Sequence, residues 1–273
     1  HDLILLQHPS RRVGTTHDQL LFTAKFFAYR LVIGSAVHRA RRVLTVSEFS
    51  RREICRAFSL SNELVSVTPL APGINFVAKQ PADSGTRPYI LFVGNSYPHK
   101  NLERLIRAFV IMNEKVGGRY ELILAGPEDF FQKRLRNEVE KMRATWRIRF
   151  AGTLPDPELA TLYQNASLFV MPSLTEGFGI PPLEAMAAGV PVAAAQAGSL
   201  PEVLGDAALY FNPLNTEEMS AAMLRGLTDR GTRESLTARG HEQSAKYSWR
   251  ACAERTLAAY EKALKNDSTK TKK

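Results

Sequence analysis

The sequence predicts an α/β fold in which parallel strands alternate with crossover helices. Three observations carry that expectation. Short apolar runs recur along the chain, separated by stretches with apolar residues at helical spacing. One run, Tyr89 to Val93, is apolar throughout, as expected of a strand buried on both faces. Gly94, Gly126, Gly152 and Gly198 fall at or just past strand ends, where such chains turn over the ligand-binding edge of the sheet. With 273 residues, 44% hydrophobic and 23% charged, the chain can bury a core as one large domain or two small ones.

Taken in order, Leu3 to Leu6 reads as a short buried strand. A helix follows from near Thr16 to Ala40, with Leu20, Leu21, Ala24, Phe27, Ala28 and Leu31 along one side. Arg42 to Val46 is the next strand. Ser47 and Ser50 compete to cap a helix running through Phe58, and Ser50 with Glu53 fits a capping box. Leu64 to Thr68 is a third strand, closed by Pro69 and a turn over Ala71 to Ile74. Pro81, Ser84, Gly85 and Pro88 break any periodic pattern in the stretch beyond Val77. The expected boundaries are therefore a first domain over residues 1–80, a linker over 81–88, a second domain over 89–247 and a C-terminal helix with a lysine-rich tail over 248–273.

In the second domain the strand Tyr89 to Val93 precedes a helix carrying Leu102, Leu105, Ile106, Phe109 and Val110 as a stripe. Further strands are expected at Glu121 to Ala125, Arg147 to Phe150, Ser167 to Met171, Val190 to Ala195 and Ala207 to Phe211. Helices fill the gaps near Phe130–Thr145, Pro157–Asn165, Thr216–Thr228 and Arg233–Tyr247. A last helix starts after Ser248 and runs to Leu264.

A formal charge of +9 favours anionic partners, among them nucleotide phosphates and acidic lipids. No recognisable nucleic-acid module accompanies it. Cys55 and Cys252 lie far apart, without partners at metal-ligand spacing, and read as reduced thiols of a cytosolic protein. His8, His17 and His38 likewise lack metal-like spacing. The most apolar stretch, Leu20 to Val37, is interrupted by Lys25 and Arg30 and is too broken to span a membrane.

The most informative window is Thr175 to Val192. Glu176 and Glu184 bracket a segment rich in glycine and proline. Gly177 and Gly179 let the backbone take unusual angles and a ligand approach closely. Pro181 and Pro182 suit the first helical positions, and Gly189 is placed to end the short helix. A helix N-terminus attracts phosphate, and two carboxylates can accept hydrogen bonds from hydroxyls. Those are the needs of a sugar nucleotide. The plainer alternatives are that Glu184 sits in the first helical turn to complement the dipole and that Glu176 is a solvated loop acid.

The run from Pro172 to Val192 resembles the E-x7-E signature of the retaining GT-B glycosyltransferases of family 4, the glycosyl transferases group 1. The resemblance implies a GT-B architecture of two Rossmann-like parallel-sheet domains. It also implies that the first lobe is represented here only by its later part, and that the final helix, entered at Trp249, returns to that lobe. The implied activity is transfer of a hexosyl unit from a nucleotide-diphosphate sugar to a glycan or lipid-linked acceptor with retention. Glu176 would contact the donor sugar and Glu184 the ribose hydroxyls. Gly177, Phe178, Gly179 and Ile180 would line the donor site. Members with similar segments are often mannosyltransferases of surface polysaccharide assembly, so GDP-mannose is the favoured donor and an O-antigen-like role is expected.

Gly94, Asn95 and Lys100 resemble the phosphate-contacting segment of the same family. A lysine there reaches a diphosphate as a point charge. The alternative is a solvated Lys100 followed by Asn101 as an N-cap. Many members carry arginine where Asn95 and His99 stand, so the phosphates meet fewer guanidinium groups here. His99 is either a protonated helper or an exposed histidine without a role. Gly152, in the loop Ala151 to Pro155, falls where the family holds the nucleobase. Ser199 to Asp206 either helps close the donor site or is simply a capped short helix and a turn.

His1, beside Asp2, matches the family's histidine that faces the cleft and orients the transferred sugar or acceptor. No Asp-x-Asp pair is present to hold a divalent ion on the diphosphate, and the expectation is no metal and no cofactor beyond the donor substrate. Arg39, Arg41, Arg42, Arg51, Arg52 and Arg56 form either a solvated face or a peripheral contact with an anionic membrane. The rival readings are a non-catalytic nucleotide-sugar-binding module, or another GT-B enzyme such as an epimerase or phosphorylase.

Overall fold

The structure is a computed structural model that describes residues 1–7, 19–74, 87–142, 144 and 147–268. Most of the expected linker, the start of the first long helix, His8, His17 and the end of the lysine-rich tail lie outside the described residues. The chain divides into two compact units, one of His1–Ala71 with Tyr247–Lys273, the other of Pro72–Lys246.

The first unit opens with a helix, α1 (Ile4–Gln7), where a strand was expected. The Asp2 carboxylate accepts the Ile4 N–H at 3.1 Å, capping a helical turn in place of a sheet ladder. Leu3 still enters the core, against Ile54 and Val65. Next come α2 (Gln19–Arg39), β1 (Val43–Thr45), α3 (Glu48–Phe58) and β2 (Val65–Val67). β1 and β2 pair in parallel, Val43 opposite Val65.

Ser47 caps α3, its hydroxyl accepting the Ser50 N–H at 3.0 Å. The expected box of Ser50 with Glu53 is thus displaced by three residues, because the chain enters the helix one turn earlier. Glu53 pairs with Arg56 at 2.6 Å, Arg51 with Glu48, and Arg42 donates to the Glu63 carbonyl and to Ser66. Arg42, Arg51 and Arg56 of the basic cluster are therefore engaged inside the unit. α2 leaves Leu21, Phe27, Leu31 and Val32 exposed.

The second unit contains a six-stranded parallel sheet built from β3 (Tyr89–Val93), β4 (Glu121–Ala125), β5 (Ile148–Gly152), β6 (Leu168–Met171), β7 (Val192–Ala195) and β8 (Ala208–Phe211). Between them run α4 (Leu102–Lys115), α5 (Phe130–Lys141), α6 (Asp156–Gln164), α7 (Ile180–Ala187), α8 (Leu200–Leu204), α9 (Thr216–Thr228) and α10 (Arg230–Ser244). α11 (Trp249–Ser268) closes the described chain and belongs to the first unit. Several helices differ slightly from the expected bounds. α5 stops at Lys141, whereas α10 starts at Arg230 because Asp229 accepts the Thr232 N–H.

The strand order is β5-β4-β3-β6-β7-β8. The chain winds outward from β3 to β5, then crosses back through α6 to lay β6 on the other side of β3. Ile90 pairs with Leu168 and Leu91 with Phe169 across that join. The reversal makes β3 and β6 neighbours whose connections wind to opposite sides, the switch point at which such sheets form a crevice above the strands' carboxyl ends. Ile90, Leu91, Leu168 and Phe169 are fully buried at the join. Each large apolar side chain removed from water there contributes about 1.5–3 kcal/mol.

Candidate active site

Two loops meet at that crevice. The loop after β3 runs through Gly94 and Asn95, whose side chain accepts the Tyr97 N–H at 3.3 Å. It then makes a single 3-10 turn over Pro98–Lys100. The loop after β6 runs from Pro172 to Gly179 into α7. A backbone bond joins them, the Leu174 N–H donating to the His99 carbonyl at 2.7 Å.

Asn101 makes the second join. Its backbone is left-handed, φ 60°, and its side chain does not cap α4. The carboxamide instead donates to the Pro172 carbonyl at 3.0 Å and the Pro213 carbonyl at 2.7 Å. Arg104 holds its oxygen at 2.8 Å. Asn101 therefore ties together the loops after β3, β6 and β8.

Between the joined loops, Lys100 Nζ lies 2.7 Å from Glu176 Oε1, with side chains only 14% and 8% exposed. Ser173 Oγ donates to the same carboxylate oxygen at 2.6 Å. Ser199 holds the backbone behind the carboxylate, its hydroxyl lying 3.0 Å from the Glu176 carbonyl and 3.1 Å from that of Phe178. Gly198 passes so near that a Cβ there would stand 2.6 Å from the Glu176 nitrogen, and its φ is +61°. Glu176 is thus no solvated loop acid and Lys100 no solvated lysine. His99 is buried as well, its ring edge-on to Tyr97 at 6.1 Å, and is not the exposed histidine considered above.

Glu184 lies beyond the first turn of α7, which begins at Ile180 with Gly179 at the N-cap position. The first-turn dipole explanation therefore does not apply. Its carboxylate is buried, accepting the Tyr163 hydroxyl on Oε2 at 2.9 Å and the Gly73 N–H on Oε1 at 3.3 Å. Burial pushes the Glu184 carboxyl above the usual glutamate range, while the bonds from Tyr163, Gly73 and Ile74 act against it. Burial also drives the Tyr163 phenol well up, with the neighbouring carboxylate adding to the effect.

Gly177 and Phe178 are buried within the loop, and Ile180 is half-buried at the start of α7. Gly152 ends β5, its carbonyl accepting the Gly126 N–H at 2.9 Å. The second unit therefore brings Lys100 into contact with Glu176, with Gly94 and Asn95 earlier in the loop after β3, the Gly177–Ile180 turn directly after Glu176, and Glu184 farther along α7. His1 belongs to the first unit, where it is exposed and its carbonyl accepts the Thr45 hydroxyl at 2.6 Å. Ser173 and Tyr163 were not singled out from sequence, and Asn101 was weighed only as an N-cap, a bond its side chain does not make. Ser173, three residues before Glu176, was the one with a local signal.

Among the described residues no group of three His, Cys, Asp or Glu side chains could hold a metal ion. Nor is any described helix long and apolar enough to cross a membrane.

The second unit is a doubly wound parallel α/β sheet with a lysine–glutamate pair, largely shut off from water, at its switch point. The chain belongs to the glycosyl transferases group 1 family, whose model matches residues 74–243, and its fold is that of the GT-B glycosyltransferases. It is 36% identical over 266 residues to O-antigen chain mannosyltransferase B of Escherichia coli, covering 92% of this chain and 70% of that protein. Among solved structures it resembles sucrose-phosphate synthase from Thermosynechococcus elongatus, with a TM-score of 0.78 at 22% identity over 97% of this chain. Anabaena Alr3699/HepE, solved in complex with UDP-glucose, gives 0.74 at 20% identity over 85%. The chain spans 66% of each of those two solved chains.

Proposed function

We propose that this chain carries the donor site of a retaining hexosyltransferase that takes its sugar, mannose in the favoured case, from a nucleotide-diphosphate sugar such as GDP-mannose. The single observation that carries the reading is the Lys100–Glu176–Ser173 cluster at the switch point between β3 and β6. A diphosphate needs a positive charge at the strand ends, and a breaking glycosidic bond needs a fixed negative one nearby.

Lys100 has three donors and gives one to Glu176, so two are left for phosphate oxygens. Glu176, held on one oxygen by Lys100 and Ser173, turns its other oxygen to the sugar hydroxyls and to the positive charge that develops at the anomeric carbon. Glu184 takes the ribose hydroxyls. Such a cluster supplies electrostatic stabilisation without a metal ion. The mannosyl preference is supported by the printed activity of the E. coli relative. A glycan or lipid-linked acceptor fits the same relative's O-antigen role. The exposed Leu21, Phe27, Leu31 and Val32 of α2, with Lys25 and Arg30 between them, would suit a peripheral membrane contact.

The test is a donor panel of GDP-mannose, UDP-glucose and UDP-N-acetylglucosamine, with binding, hydrolysis and transfer measured separately. Transfer from GDP-mannose with the α-configuration kept is expected. Binding without hydrolysis or transfer in the intact chain would reduce the protein to a nucleotide-sugar-binding module.

A further inference from the structure

We infer that Tyr163 is a positioning residue for ribose recognition, aiming the Glu184 carboxylate at the two adjacent hydroxyls of the donor nucleotide. The inference rests on the reading of Glu184 as the ribose ligand and adds to it a residue outside the E-x7-E segment. Tyr163 lies in α6, the crossover that carries the chain from β5 back to β6. Its side chain has no exposure, and its ring packs against Phe169 of β6 with centroids 5.8 Å apart. The ring is therefore fixed to the centre of the sheet, and its hydroxyl can reach only what lies beside it.

What lies beside it is Oε2 of Glu184, at 2.9 Å. The other oxygen accepts the Gly73 N–H at 3.3 Å. A carboxylate offers about four acceptor positions. Tyr163 takes one on one oxygen and the chain segment at Gly73 occupies the other, so the free lone pairs are left in a fixed direction. A side chain of this length has several rotamers, and a buried carboxylate without such partners would turn to whatever donor is nearest. The phenol removes that freedom before the nucleotide arrives. It remains a donor, since burial and a neighbouring carboxylate hold the phenol protonated.

Phenylalanine at position 163 keeps the ring packing and deletes the hydroxyl. The experiment measures binding of GDP and of 2′-deoxy-GDP, and of the uridine pair in parallel, to the wild-type chain, Tyr163→Phe and Glu184→Gln. Thermal unfolding of each variant is followed alongside. Tyr163→Phe is expected to weaken the ribonucleotide about tenfold, the equivalent of one hydrogen bond. The deoxynucleotide should change little, so the ratio between the two shrinks. With saturating donor, KM is expected to rise while kcat stays within about threefold.

An unchanged ratio in Tyr163→Phe, with a collapsed ratio in Glu184→Gln, would overturn the positioning role and leave the ribose reading standing. A ratio unchanged in Glu184→Gln, or absent in the wild type, would overturn the ribose reading and this inference with it. Equal loss of both nucleotides in Tyr163→Phe, with a lowered unfolding temperature, would make the tyrosine merely structural.

Discussion

Lys100 and Glu176, 76 residues apart in sequence, face each other at 2.7 Å across the join of β3 and β6, both nearly closed off from water. A buried ion pair contributes little net stability, because desolvation offsets most of the attraction. Its position at the carboxyl edge of the sheet supports the role in transfer proposed for it.

The first prediction follows from breaking that pair on one side only. Lys100→Ala strands a buried carboxylate and should lower stability by about 3 kcal/mol. The double replacement Lys100→Met with Glu176→Gln should recover most of the loss, while transfer activity stays absent. Urea denaturation of the three proteins measures it. A double variant no more stable than the single would show that the pair is not the source.

Glu176→Gln keeps the size of the side chain and removes its charge. Turnover should fall by about 100-fold or more, with nucleotide affinity within a few-fold of wild type. Equal turnover in the variant would take Glu176 out of the mechanism.

Gly198→Ala probes the same carboxylate from behind. A methyl group there meets the Glu176 backbone at 2.6 Å, in a left-handed conformation that itself costs about 1–3 kcal/mol. The variant should be less stable and less active. Activity undiminished in the folded fraction would show that the Glu176 backbone yields without moving its carboxylate.

The pH dependence has a definite sign. Glu184 holds its proton more tightly in the fold than in the unfolded chain, chiefly because it is buried. From the ordinary glutamate value up to the raised one, the folded state binds more protons than the unfolded, so this contribution to stability is lost as pH rises. Glu184→Gln removes that slope. The unfolding temperature of the variant should gain on wild type as pH climbs through this window, even as nucleotide binding weakens. A gap that stays constant or narrows would contradict the assignment.

Asn101 yields a comparison of two substitutions. Asn101→Ala loses the bonds to Pro172 and Pro213 and must still adopt a left-handed backbone. Asn101→Gly loses the bonds but accepts the angle freely. Both should destabilise, alanine by about 1 kcal/mol more than glycine. Equal loss in thermal unfolding would assign the whole effect to the carboxamide.

Much of the second unit was legible in the sequence because its strands are continuous apolar runs and its helices carry clear stripes. Glu176 and Glu184 were visible as two carboxylates bracketing a helix start rich in glycine and proline, but it was the family resemblance that marked them, and Lys100, as candidate site residues. What periodicity could not give is strand order. Alternation alone does not say that β6 returns to the side of β3, and that return brings Ser173 and Lys100 to one carboxylate. Tyr163 was hidden for a different reason: on α6 it reads as one more large core residue, and only its hydroxyl betrays a partner. The opening turn Ile4–Gln7 misled because its apolar run fits strand and helix equally, and a single Asp2 cap decides between them.

The two bonds from Asn101 have a further meaning for how such sites diversify. Loops that end three separate strands are stitched to one carboxamide, so they form a cassette rather than three independent parts. Transplanting the Glu176–Glu184 segment alone into a relative would import one edge of the cassette without its stitching.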